Sequence, residues 1–147
     1  VTQQPTSGVH SQDIVLQILD TRGRTVELPT EFGYDPADPW AVHITFWGGS
    51  GHSSEPVRWA VGRDLLRQGA TEPAGDGDVR LFPSIDDIGR AAVIMELCSP
   101  AGRLVTQLPT SDLVEFLDRS FEMVPVGAET VDLDLLVEHL VGRSGTQ

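Results

Sequence analysis

Apolar and polar residues alternate with a period of two through much of the first half of the chain, which predicts strands before anything else. From Asp13 to Asp20, Ile14, Leu16 and Ile18 share one side and Val15 and Leu19 the other, so both faces of this strand are expected to be partly covered. Thr21-Arg22-Gly23 turns the chain into a second strand, Arg24 to Leu28, giving a hairpin. The run Tyr34-Asp35-Pro36-Ala37-Asp38-Pro39-Trp40 then stiffens the backbone, because each proline pushes the residue before it toward extended geometry. It feeds a strand, Ala41 to Trp47, with Val42, Ile44 and Phe46 on one face and Ala41, His43, Thr45 and Trp47 on the other. Gly48-Gly49-Ser50-Gly51 reads as a turn, Pro56 to Val61 as a strand presenting Val57, Trp59 and Val61, and Arg63 to Gln68 as a short helix with Gly69 in a left-handed cap.

Ala70 to Gly77, rich in Pro and Gly, divides the chain near its middle. Strands are expected at Asp78 to Phe82, Arg90 to Cys98 and Arg103 to Leu108, with Ser99-Pro100-Ala101-Gly102 as a tight turn. A helix follows from about Ser111 to Met123, apolar along Leu113, Phe116, Leu117 and Phe121 and capped by Thr110 or Ser111. A last helix, Asp132 to Val141, repeats that spacing through Leu133, Leu136, Val137 and Leu140. Short turns favour antiparallel pairing, and strands followed by a helix, twice, predict an α+β sandwich with an extra C-terminal helix. Residues 1–12 read as a mobile polar tail and residues 13–147 as a single domain.

Charge narrows the possible partners. Ten arginines, no lysine and 22 acidic residues give a net charge of −12, which argues against duplex nucleic acid or an anionic membrane as the main partner. One cysteine, Cys98, excludes an internal disulfide and a cysteine-based zinc cluster, and fits a reducing compartment. The start lacks the basic and apolar regions of a signal peptide, and no apolar run approaches a membrane span of roughly 18 residues. A cytoplasmic protein without direct membrane insertion is expected.

Catalytic and metal-binding readings find little support. His10, His43, His52 and His139 fall in the tail, on a strand, in a glycine loop and on the last helix, without the paired spacing of metal ligands. No serine sits in a Gly-x-Ser-x-Gly elbow, and Gly48 to Gly51 lacks the Lys-Ser/Thr of a P-loop. Asp35 with Asp38, and Asp86 with Asp87, lie in turns where carboxylates bond local amides, and Cys98 closes an apolar strand as a small core residue. No catalytic residue, cofactor or metal is therefore assigned. Trp59 alternates in phase with the core, while Trp47, with Thr45 and His43 beside it, either marks a face for protein contact or covers the edge of its own core, as strand-end aromatics often do.

Several stretches taken together resemble one family. Residues 32–43 (FGYDPADPWAVH), 57–66 (VRWAVGRDLL) and 75–84 (GDGDVRLFPS), with Leu97-Cys98-Ser99-Pro100-Ala101-Gly102 and Asp132-Leu133-Asp134, resemble the SsgA-like sporulation and cell division proteins of actinomycetes in order and spacing. The resemblance runs from about Asp13 to Val141. It implies a Whirly-like fold of two antiparallel β-sheets with helices following each strand group, and a homotrimer. It also implies a cytoplasmic, non-enzymatic regulator recruited to the division septum, controlling septum siting and assembly through the tubulin-like division protein and other family members. The alternative is a single-stranded nucleic-acid binder of Whirly-like fold, with a basic groove assembled from Arg58, Arg80, Arg90 and Arg103.

Overall fold

A computed structural model of the chain describes residues 8–19, 22, 25–47, 55–75 and 77–129. Seven strands, β1 (His10–Leu19), β2 (Thr25–Tyr34), β3 (Ala41–Phe46), β4 (Val57–Gly62), β5 (Val79–Ile85), β6 (Ala91–Ser99) and β7 (Gly102–Pro109), accompany two helices, α1 (Arg63–Gly69) and α2 (Thr110–Met123). All seven strands belong to one antiparallel sheet in the order β4-β3-β2-β1-β7-β6-β5. Two meanders, β1–β4 and β5–β7, are joined where Gln17 pairs with Gln107 and Ile18 with Thr106.

This corrects the expected architecture of two antiparallel sheets with helices following each strand group. Among the described residues the sheet is single and curled, and α1 and α2 pack against each other instead of serving one sheet each. The reason lies in β1. Ten residues long, it pairs with β2 along its whole length and still offers its last turn of pleat to β7, about ninety residues away. Such a non-local pairing leaves no trace in local periodicity. β1 also begins at His10, three residues earlier than expected, and β2 continues to Tyr34, so the stiff loop is confined to 35–40.

Alternation sends Ile14, Leu16, Phe32, Tyr34, Val42, Ile44, Val61, Leu81, Val93, Met95 and Leu108 to the inner face, where all are buried. The apolar stripe of α2, Leu113, Phe116 and Leu117, closes over β1, β6 and β7, with Phe116 edge-on to Phe32 at 5.7 Å. Helix α1 touches both β4 and β5, the two outermost strands of the sheet. The sheet must therefore curl until its edges reach the same short helix. On that side the β5 edge is blunted by Ala74, which exchanges two 2.9 Å backbone bonds with Leu81, and by Pro83, which has no N–H to offer.

Two helix ends differ from expectation. Helix α2 starts after Pro109 with no side-chain cap, so neither Thr110 nor Ser111 plays that part, and the fixed φ of proline sets the entry. Gly69 stays helical and Ala70 follows it in the right-handed region. A Cβ at Gly69 would collide with the Leu81 side chain, so close packing of α1 on β5 explains the glycine, and left-handed geometry does not. The final helix expected at Asp132 to Val141, the turn at 48–51, His52 and His139 lie outside the described residues.

Helix propensity alone would have Gly69→Ala stabilise α1 by about 0.5–1 kcal/mol. The collision with Leu81 reverses the sign, and overpacking of this kind costs about 1–3 kcal/mol. Thermal denaturation of Gly69→Ala is expected to show a lower melting temperature than the parent.

Candidate interaction surface

The outer face of the sheet opposite the helices carries the residues singled out in the sequence. His43 and Thr45 are half-buried, and Trp47, just past the end of β3, is 47 % exposed. The strand register places Thr45 between Glu31 of β2 and Arg58 of β4, and His43 between Gly33 and Ala60. Trp47 continues the ladder, its N–H donating to the carbonyl of Pro29 at 3.4 Å. His43 Nε2 lies 3.2 Å from Asp38 Oδ2 in the loop before β3. The three residues thus share one face. Their neighbours Val15, Pro29, Asp13 and Glu31 come from β1 and β2 and were missed, because cross-strand adjacency depends on register. The signal in the sequence was the alternation Asp13, Val15, Gln17, which sets two polar residues and an exposed valine on one side.

This face is held in place from behind. The Tyr34 hydroxyl donates to the Pro39 carbonyl at 2.9 Å, and Ala37 N–H donates to Asp35 Oδ1, so the loop entering β3 is fixed to the core by Tyr34 and Pro39. Trp40, at the end of this loop, is 45 % exposed. The guanidinium carbon of Arg63 lies over the Tyr34 ring, 4.7 Å from its centroid, and over the Phe121 ring at 4.1 Å. Arg63 is 1 % exposed, donates to the Ser120 carbonyl at 3.0 Å, and meets Glu129 Oε2 at 2.8 Å; its Nε has no acceptor among the described residues. Burial pushes the Tyr34 hydroxyl pKa up, against the opposing pull of Arg63. The Glu129 carboxyl is held below its usual range by its own backbone amide and then by Arg63.

A second concave feature opens at the end of the curl away from the helices. It is a cavity of about 390 Å³ lined by inner-face residues including Ile18, Leu28, Phe46, Trp59 and Leu104. Trp59, expected in the core, lies half-buried in this wall. The basic groove envisaged for nucleic acid is not assembled. Arg80 and Arg103 converge on Glu96 at 3.8 and 2.8 Å, and Arg90 lies against Asp86 at 3.7 Å, so three of the four arginines are already paired with carboxylates. Cys98 is half-buried on the outer face opposite Arg103, rather than a core residue beside Val93, Met95 and Leu97. His10, read as part of the tail, sits in β1 and stacks on Phe116 at 5.3 Å. Among the described residues no three His, Cys, Asp or Glu side chains gather as metal ligands, and no helix is long and apolar enough to cross a membrane.

Among the described residues, then, a curled antiparallel sheet carries an exposed tryptophan at the end of β3, and Arg80, Arg90 and Arg103 lie beside carboxylates. The chain belongs to the SsgA family: the family model described as "Streptomyces sporulation and cell division protein, SsgA" matches residues 28–129. It is 39 % identical over 132 residues to the sporulation-specific cell division protein SsgB of Kineococcus radiotolerans, covering 88 % of this chain and 78 % of that protein. The structure of the SsgA-like sporulation-specific cell division protein of Thermobifida fusca superimposes with a TM-score of 0.79 at 31 % identity, over 94 % of this chain and 99 % of that one. A structure of SsgB from Streptomyces coelicolor, in which mutations correlate to longitudinal cell division during sporulation, gives a TM-score of 0.77 at 37 % identity, over 82 % and 92 % of the two chains.

Two tests follow from the buried groups. Removing Glu129 leaves the Arg63 charge stranded, whereas Arg63→Met replaces it with an apolar side chain, so Glu129→Ala is expected to lower the melting temperature more than Arg63→Met. The second concerns pH. Burial first, and Arg119 second, lower the His10 pKa from its ordinary 6.5. On acidification the unfolded chain then takes up this proton first, so stability falls as pH drops below about 6.5 toward the folded value. The lowered Glu129 pKa contributes stability that is present above its ordinary 4.5 and lost on further acidification. Melting curves between pH 7.5 and 5 should slope downward for the parent and more weakly for His10→Phe.

Proposed function

We propose that this chain acts in sporulation-specific cell division as a non-enzymatic adaptor, recruited to the septum and controlling its siting and assembly through protein contacts. The tubulin-like division protein and other SsgA-like proteins are its partners, and Trp47, Thr45 and His43 carry the contact. The observation that supports this most is Trp47 itself, a large amphipathic side chain left half-exposed on the outer face of a sheet in a chain whose relatives are named for sporulation division. An adaptor with a modest interface gains avidity when a closed oligomer presents several copies to a repeating filament, and the family resemblance suggests a homotrimer. A net charge of −12 per chain disfavours direct contact with an anionic membrane, so a partner protein supplies the tether.

The reading as a single-stranded nucleic-acid binder is weakened by the pairing of Arg80 and Arg103 with Glu96 and of Arg90 with Asp86. Co-sedimentation with polymerised division filaments, alone and with a family partner, separates the readings. Wild type should pellet, and Trp47→Ala should weaken binding by about 1–3 kcal/mol with its melting temperature unchanged. A Trp47→Ala variant that pellets like wild type removes the site. A wild type that never pellets, yet binds single-stranded oligonucleotide in a salt-dependent manner, favours the alternative. Light scattering at micromolar concentration should give three times 15.9 kDa, and a clean monomer contradicts the trimer.

A further inference from the structure

The β1–β2–β3 ladder sorts the outer face into rows. Val15 pairs with Pro29, and Pro29 accepts the N–H of Trp47, so these three side chains form an apolar row across three strands, with Val15 and Trp47 each 47 % exposed. On one side of it Asp13 stands directly opposite Glu31, and on the other Glu27 stands opposite Gln17. Because the Pro29 carbonyl is used by β3, the alternate residues of β2 that include Glu31 bond toward β3. Asp13 and Glu31 are therefore a non-hydrogen-bonded pair of the β1–β2 ladder, the type whose side chains approach most closely. Like charges directly opposite each other destabilise a sheet. The next residue of that row, Thr45, is uncharged, and Arg58 stands beyond it on β4.

The row continues into a concave space. β1 and β7 pair only at Gln17 and Ile18, so from Leu16 back to His10 β1 has no strand beside it on that side among the described residues. The resulting groove, about 240 Å³, begins at Val15 and is walled by Glu27, Asp112 and the turn at Asp86. Its one cation, Arg90, is turned toward Asp86, whose Oδ1 also accepts the N–H groups of Ile88 and Arg90.

We propose that this face binds an extended, cationic segment of a partner protein, with its apolar side chains on the Val15–Pro29–Trp47 row and its Lys or Arg side chains between Asp13 and Glu31 and beside Glu27. The charge complementarity decides the occupant. A facing carboxylate pair beside an apolar row repels nucleic acid and anionic lipid and attracts a cation. This deepens the adaptor reading by assigning the chemistry of the partner, and it rests on that reading for the use of Trp47.

The test uses the full chain and fluorescein-labelled peptides of about seven residues, long enough to cross strands about 4.8 Å apart. One alternates Lys with Val and Leu, one alternates Lys with Gly, and one alternates Glu with Val and Leu. Fluorescence anisotropy should show the first bound, the second about tenfold weaker and the third unbound. The double variant D13N/E31Q should weaken the first peptide about tenfold or more while its melting temperature stays level or rises by roughly 1–3 °C, because the facing charges are gone. Glu115→Gln with Asp118→Asn on the exposed side of α2 should leave binding unchanged. Equal losses in the two double variants mean unspecific attraction to an acidic protein and overturn the proposal. So does a D13N/E31Q protein of lower oligomeric mass, which makes the face a self-contact. If no peptide binds at low salt while wild type still pellets with division filaments, this inference fails and the adaptor reading stands.

Discussion

A guanidinium taken out of water needs an opposite charge and acceptors close by, and Arg63 at the start of α1 draws several segments of this fold together by that requirement. Tyr34 and Phe121 supply the two ring faces, Ser120 a carbonyl and Glu129 the opposite charge. These groups come from the end of β2, the end of α2 and the segment after it. One side chain therefore orders the last turn of the long helix, the chain beyond it and, through the Tyr34 hydroxyl on Pro39, the loop that leads into β3. The outer face of β3 is presented at a fixed angle because its entry loop is tied to this centre. Replacing a buried ion pair by apolar residues is often less disruptive than breaking it, and here the pair joins four segments at one side chain.

Much of this was legible in the sequence, for a physical reason. Alternation of period two reports burial of one face, so Val42, Ile44 and Phe46 inside and His43, Thr45 and Trp47 outside were readable from β3 alone, as was the apolar stripe of α2. The union of two meanders into one sheet was not readable, since it hangs on Gln17 meeting Gln107 and Ile18 meeting Thr106, contacts between polar or commonplace residues far apart in the chain. Arg63 reads as an ordinary first-turn cation until the Tyr34 and Phe121 rings are seen against it. Gly69 reads as a cap until Leu81 is placed against it. In each case the deciding partner is non-local.

The same distinction applies to the candidate surface. Trp47 stood out because an aromatic residue in phase with Thr45 and His43 is conspicuous in a chain with few aromatics. Its setting is a property of register: the apolar row through Pro29 to Val15, the facing Asp13 and Glu31, and the groove where β1 leaves β7. Arg80 and Arg103 lie on Glu96 and Arg90 on Asp86, while acids on this face stand opposite one another. A surface of that kind is suited to a basic protein segment and unsuited to nucleic acid or lipid.

Two tryptophans provide an internal control for this account. Trp40 and Trp47 are nearly equally exposed, at 45 % and 47 %, but only Trp47 lies on the apolar row. Hydroxyl-radical footprinting with and without assembled division filaments, read by mass spectrometry of the peptides carrying each residue, compares them in one sample. The account predicts that filament shields Trp47 from oxidation and leaves Trp40 as reactive as in the free protein. Equal oxidation of Trp47 in both samples, or shielding of Trp40 alone, would contradict it.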